Sequence, residues 1–340
     1  MMTNQAVEQK NITSEERWNP LSNSLEAGAG FIEAGTVSIE HLDLLHGGNL
    51  SDISVHYNRY GANDRPALVV LGGISSSRDI HEWWADLFGH RKPLDLEQFQ
   101  VIGVDYIVNN DQQRPSLISS FDQARVISEV LANLDIKHLE AIIGSSYGGM
   151  VALAFAHLFP QKLHKLVCIA AAHTNTQTSI AQRQIQQQIL QLGVSSGKSQ
   201  EAVSIARQLG FISYRSQQEL ESRFNSNRII EQQNFSNELI NYLKYQGDKF
   251  AAKFDIERYR CLSQSIDLHK VDPKGVVTDA LFIGIDSDQL VPADLIKETA
   301  NLCSGQSQFK KINSYFGHDG FLLEASQLTE SITPFLRNKR

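Results

Sequence analysis

Residues 139–158 read LEAIIGSSYGGMVALAFAHL. The opening LEAII is a short apolar, β-branched run of the kind that forms a buried strand. The closing GGMVALAFAHL is apolar on all sides and long enough for a buried helix. Between them, Gly144-Ser145-Ser146-Tyr147-Gly148 fits the pattern G-x-S-x-G. Any Gly/Ser loop produces that pentapeptide by chance; a strand before it and a helix after it give it meaning. A sharp strand-to-helix turn needs small flanking residues and pushes its central serine outward. The first N–H groups of the helix are left unpaired beside it, ready for a developing anion. Ser146 lies midway between the two glycines, whereas Ser145 is one residue out of register.

The same rhythm extends outward. Ala67–Leu71 (ALVVL), Gln100–Val104 (QVIGV), Leu166–Ile169 (LVCI), Ala280–Ile285 (ALFIGI) and Phe309–Ile312 read as further strands, and Ser120–Leu134 repeats apolar residues at helical spacing. Strands alternating with helices predict an α/β protein with a mostly parallel central sheet and helices on both faces. With the serine turn, this pattern resembles the α/β-hydrolase fold, which is the fold expected. The rhythm stops after Ala172 and resumes at Asp279. In between, Ile180–Leu192 (IAQRQIQQQILQL) and Gln217–Phe224 look helical, with Ile180, Ile185, Ile189 and Leu192 as the packed face. An insertion inside a sheet domain is most simply a helical lid. The predicted layout is a loose tail over 1–30, a core of 31–173 and 264–340, and a lid over 174–263.

A serine nucleophile needs a base, and the base needs an orienting acid. In this fold they follow in the order serine, acid, histidine. His318 lies in Tyr315-Phe316-Gly317-His318-Asp319-Gly320, after the last strand and flanked by glycines that let the loop turn. Asp286 and Asp288 both follow the strand ALFIGI; Asp288, further into the loop, is favoured as the acid. The oxyanion hole is assigned to the backbone N–H groups of Tyr147 and of Ile74, in the loop after ALVVL. That loop, Gly72-Gly73-Ile74-Ser75-Ser76-Ser77-Arg78, lacks the Lys-Ser/Thr of a phosphate loop.

Composition bounds the rest. Hydrophobic residues at 41% and charged residues at 20% are ordinary for a globular protein. A net charge of −7 without a Lys/Arg run argues against nucleic acid and anionic membranes. The first twenty residues are polar, without a signal-peptide core, and no segment is apolar enough to span a bilayer. Cys168, Cys261 and Cys303 are scattered and form neither a zinc pattern nor a disulfide framework. A reduced, cytoplasmic protein with no metal is expected.

Taken together, LGGISSSRDI with Trp83-Trp84, IIGSSYGGMVALAFA, CIAAAHTNT followed by QRQIQQQI, ARQLGFISYRS with ESRF, IDSDQLVP and FGHDGFLLE resemble the homoserine O-acyltransferases. The matching pieces run in that family's order from about residue 40 to the C-terminus. The resemblance implies a ping-pong acyl transfer of methionine biosynthesis, through an acyl-Ser146 ester. The donor would be an acyl-CoA, a co-substrate rather than a bound cofactor, and the acceptor L-homoserine or, alternatively, L-serine. The LGGIS form is more similar to succinyl-using than to acetyl-using members. Arg215 matches the position of a carboxylate-binding arginine, and Asp319 that of an aspartate contacting the acceptor. Gln187 departs from the pattern, which has arginine there. Arg78, four residues after Ile74, is a candidate partner for a succinyl carboxylate, against the alternative of a surface arginine. A homodimer is a further expectation. The alternatives are a serine O-acyltransferase of cysteine biosynthesis, a serine esterase, and a catalytically inactive binding protein.

Overall fold

The computed structural model describes residues 31–109, 116–224, 227–231 and 234–338; the tail expected over 1–30 lies outside them. Its centre is an eight-stranded sheet made of β1 (Phe31–Asp43), β2 (Asn49–Tyr60), β3 (Ala67–Leu71), β4 (Gln100–Val104), β5 (Leu139–Ser145), β6 (Leu163–Ile169), β9 (Asp279–Ile285) and β10 (Ser307–Ile312). The spatial order is β1-β2-β4-β3-β5-β6-β9-β10. From β4 to β10 every pairing is parallel, while β1 and β2 form an antiparallel hairpin, and β2 also pairs antiparallel with β4. That hairpin is an addition to the sequence reading. Its signal is alternation rather than a continuous apolar run: Val37 and Ile39 are buried while Thr36, Ser38 and Glu40 are exposed.

The two-residue strand period sends alternate side chains to two separate cores. In β3, Val69 and Leu71 join one core and Leu68 and Val70 the other; in β9, Phe282 and Leu281 divide the same way. The first core is closed by α1 (Ser120–Asn133), α2 (Tyr147–Leu158) and α8 (Ala293–Leu302); the second by α9 (Ala325–Arg337) and the Ile80–Phe88 segment. Buried on both faces, the inner strands are apolar throughout, which is why the sequence revealed them. The chain runs from β3 outward to β4, then crosses to β5 on the other side of β3. The order reverses there, and a crevice opens at the strand C-termini, where ligands of open α/β sheets bind.

Between β6 and β9 the chain forms α3 (Gln177–Ser196), α4 (Ser199–Tyr214), α5 (Gln217–Arg223), a hairpin of β7 (Ile229–Glu231) and β8 (Asn234–Ser236), α6 (Glu238–Ala251) and α7 (Ile256–Asp267). The boundary expected at 263 falls inside α7. The face of α3 also differs from expectation. Ile185 and Leu192 are exposed, and the buried face is Ser179, Arg183, Gln186, Leu190 and Gly193. Polar groups define it because they are paired: Arg183 Nε donates to Asp267 Oδ1 at 2.6 Å and Gln186 Nε2 to the Ala206 carbonyl at 3.1 Å.

Candidate active site

Ser146 sits between β5 and α2 with φ 53° and ψ −121°, a backbone conformation that a non-glycine residue adopts only under constraint. The constraint is contact with the glycines on either side. A Cβ on Gly144 would lie 2.1 Å from the Gly148 carbonyl oxygen, and one on Gly148 would lie 2.4 Å from that of Leu71. Ser145, the rival, has its hydroxyl buried with no hydrogen-bond partner among the described residues.

Ser146 Oγ lies 2.8 Å from His318 Nε2, and His318 Nδ1 lies 2.7 Å from Asp288 Oδ2. The carboxylate accepts, so Nδ1 carries the proton and Nε2 receives the serine O–H. The other oxygen of Asp288 accepts the N–H groups of Leu290 and Val291 at 2.8 and 3.0 Å. Asp286 is turned elsewhere: its Oδ1 accepts the Ser314 N–H at 2.9 Å. Ser287 donates to the Ser314 carbonyl and accepts the Gly317 N–H, so the loops bearing Asp288 and His318 are stitched together. Burial pushes the His318 pKa down, but the charge of Asp288, its hydrogen bond and the nearby Asp319 outweigh that and hold it above its ordinary 6.5.

Ile74, Ser146, His318, Arg207, Phe211, Tyr214, Arg215, Asp319 and Phe321 are among the residues lining one small cavity. Arg215 and Asp319 face each other across 3.0 Å, Nε to Oδ2, with both largely buried. Residues 214–216 rest directly on the histidine loop: Ser216 Oγ donates to the Tyr315 carbonyl. At Gly317 (φ 69°) a Cβ would stand 2.6 Å from the Tyr214 carbonyl oxygen. The cavity is thus lined mostly by the core and closed by the helical insertion through Arg207, Phe211, Tyr214 and Arg215.

A model of the alpha/beta hydrolase fold matches residues 66–325. The chain is 30% identical over 306 residues to a homoserine O-succinyltransferase of Xanthomonas campestris, covering 87% of this chain and 82% of that one. It is 29% identical over 303 residues to a homoserine O-acetyltransferase of Deinococcus radiodurans, covering 85% and 88%. The chain belongs to the homoserine O-acyltransferase family of the α/β-hydrolase fold. A homoserine O-acetyltransferase structure from Bacillus anthracis superposes with a TM-score of 0.83 over 91% of this chain and 99% of that one, at 17% identity, a likeness of fold.

Not every candidate residue lies at the cavity of this homoserine O-acyltransferase-family chain. Arg78 is absent from the cavity lining. Its guanidinium and its backbone N–H both bind Asp105, at 2.7 and 2.8 Å, so it fastens the loop after β3 instead. Gln187, the departure from the family pattern, donates to the Arg260 carbonyl at 3.0 Å and joins α3 to α7. Conversely, sequence reading gave no role to Arg207, Phe211 and Phe321, which line both this cavity and a larger adjoining chamber of about 340 Å³. They lie within the segments ARQLGFISYRS and FGHDGFLLE, but they come from α4 and the turn after His318 and meet only in the fold. Among the described residues, His90, Asp95 and Glu97 are the cluster that could hold a metal ion. Asp95, however, is occupied by the N–H groups of Arg91 and Glu97 and the Gln98 amide. Among the described residues, no helix is long and apolar enough to cross a membrane.

Proposed function

We propose that this protein is an acyl-CoA:L-homoserine O-acyltransferase that works by a ping-pong mechanism and favours succinyl over acetyl donors. The observation that carries this reading is the placement of an Arg215–Asp319 ion pair in the same cavity as the hydrogen-bonded chain Ser146–His318–Asp288. An esterase needs only the second; a zwitterionic acceptor needs both.

Ser146 Oγ attacks the thioester carbonyl while its proton passes to His318 Nε2, and Asp288 keeps the ring in the right tautomer. The charge on the carbonyl oxygen is received by the N–H groups of Ile74 and Tyr147. The C–S bond breaks, His318 returns the proton to the thiolate, and CoA leaves. Homoserine then binds with its carboxylate on Arg215 and its ammonium on Asp319. His318 takes the proton of its hydroxyl, the oxygen attacks the acyl-Ser146 ester, and Ser146 is restored. Water is the competitor in this step, and a helical lid over the cavity together with a fixed acceptor disfavours it. The chamber beside the cavity suits a long donor: aromatic walls from Trp83, Trp84, Phe250 and Phe254, with Lys249 and Lys253 among its lining. The succinyl preference draws on the LGGIS sequence and the Xanthomonas relative. With Arg78 engaged elsewhere, Arg207, the cation that lines both the cavity and the chamber, is the one with which an acyl carboxylate would pair. It lies over the rings of Tyr214 and Phe250.

Single-turnover kinetics tests the acceptor half. Arg215→Ala and Asp319→Ala leave acylation of Ser146 largely intact and slow transfer to homoserine by roughly 2–5 kcal/mol, as when one partner of a buried pair is removed. Normal deacylation by homoserine in both variants overturns the acceptor assignment, and CoA release that never depends on homoserine favours the esterase.

A further inference from the structure

A trans peptide is one rigid plate whose C=O and N–H point in opposite directions. The plate joining Gly73 to Ile74 carries the candidate oxyanion donor, so whatever holds the Gly73 carbonyl aims the Ile74 N–H. That carbonyl accepts two hydrogen bonds from one residue, the Ser76 N–H at 3.0 Å and the Ser76 hydroxyl at 2.8 Å. One plate earlier, the Gly72 carbonyl accepts the Tyr106 hydroxyl at 2.7 Å. Ser76 and Tyr106 are both buried. The turn is tight: a Cβ on Gly72 would lie 2.6 Å from that of Ser76. The Ile74 N–H itself has no hydrogen-bond partner among the described residues.

The clamp reaches the second donor too. The Tyr106 ring packs edge-on against Tyr147 at 4.8 Å between centroids, and Tyr147 supplies the other N–H. Helix α7 grips both tyrosines: Ser265 Oγ lies 2.7 Å from the Tyr147 hydroxyl, and Arg258 donates to the Tyr106 carbonyl at 3.3 Å.

We propose that Ser76 and Tyr106 are positioning residues for the oxyanion hole, their hydroxyls fixing two successive peptide planes so that the Ile74 N–H faces the oxygen that becomes negative. This rests on the reading of Ser146 as nucleophile and Ile74 as donor. As the Oγ–C bond forms and the carbonyl π bond opens, the charge appears on that oxygen alone, and a donor aimed in advance stabilises it without rearranging.

The test compares Ser76→Ala, Ser76→Thr and Tyr106→Phe with the parent. The readouts are the rates of both half-reactions, the KM values, and the affinity for an acyl-chain trifluoromethyl ketone, which forms a tetrahedral oxyanion adduct on serine. Ser76→Ala and Tyr106→Phe lower both half-reaction rates about five- to thirtyfold, a fraction of the loss on deleting a donor. They weaken the ketone by a similar factor and leave KM within about twofold, while Ser76→Thr, which keeps the hydroxyl, restores the parent values. A clamp that only braced the fold would lower the melting temperature without this split. Ketone affinity in Ser76→Ala and Tyr106→Phe equal to the parent's overturns the proposal. A parent that binds the ketone but transfers nothing to homoserine removes the acyltransferase reading alone, and the ketone comparison still decides the clamp.

Discussion

At the scale of single residues, the site turns on one proton. In the proposed mechanism His318 must be neutral at Nε2 to accept it, and its pKa is held above 6.5 by Asp288 and, to a smaller extent, Asp319. Acylation therefore fades as pH falls through a midpoint above the ordinary histidine value. Asp319→Asn removes one negative charge that favours the protonated ring, so the midpoint moves to lower pH. Acylation of Ser146 followed across pH, without acceptor, measures the shift; an upward displacement contradicts the electrostatics. Asp288→Asn costs more activity than Asp286→Asn, because Asp286 holds the Ser314 backbone and does not touch the imidazole. The motif decided between Ser145 and Ser146 from glycine spacing alone. The choice between the two aspartates rests on loop position, and the hydrogen bond between Asp288 and the imidazole supports it.

At the scale of elements, the junction of insertion and core depends on a neutral histidine. His269, just past α7, lies between two partners: its Nε2–H donates to the Ala172 carbonyl at 3.0 Å and its Nδ1 accepts the Ser120 hydroxyl at 2.7 Å. Burial depresses its pKa to about 4. The unfolded chain takes up this proton near 6.5 and the folded one does not. The contribution to stability is whole above 6.5 and is lost as pH falls toward about 4, amounting to about 3 kcal/mol at 1.36 kcal/mol per unit. Urea unfolding between pH 7 and 4 should show a flatter dependence in His269→Gln than in the parent; parallel curves would contradict this. None of this was legible in the sequence, where one histidine looks like another. Buried parallel strands announce themselves because both faces are apolar. The β1–β2 hairpin, half-buried and alternating, gives a fainter signal, and α3 hides its packed face behind polar residues whose partners lie far along the chain.

At the scale of the molecule, the proposed reading brings donor and acceptor to Ser146 from two adjoining spaces, the chamber and the small cavity. If the chamber takes the long donor, Lys249→Glu with Lys253→Glu raises the KM of an acyl-CoA severalfold and leaves that of an acyl-pantetheine, which lacks the nucleotide phosphates, nearly unchanged. Equal effects on both thioesters would move the donor's phosphates away from these lysines. Arg207→Ala lowers the use of succinyl-CoA more than that of acetyl-CoA; an equal loss assigns the acyl carboxylate elsewhere. The seam where residues 214–216 lie on the histidine loop has a broader meaning. Ser146 and His318 belong to the sheet domain, but Arg215 arrives with the inserted helices. On the proposed reading, a molecule whose insertion has come loose, by heat or by a protease cut, would keep Ser146, His318 and Asp288 on the sheet domain but lose Arg215, the hold of α7 on Tyr147 and Tyr106, and the Lys249–Phe254 wall of the donor chamber. Such a damaged chain would fall silent toward acyl-CoA rather than waste it, so the seating of that short segment would tie the opening of a thioester to the presence of the group that chooses its acceptor.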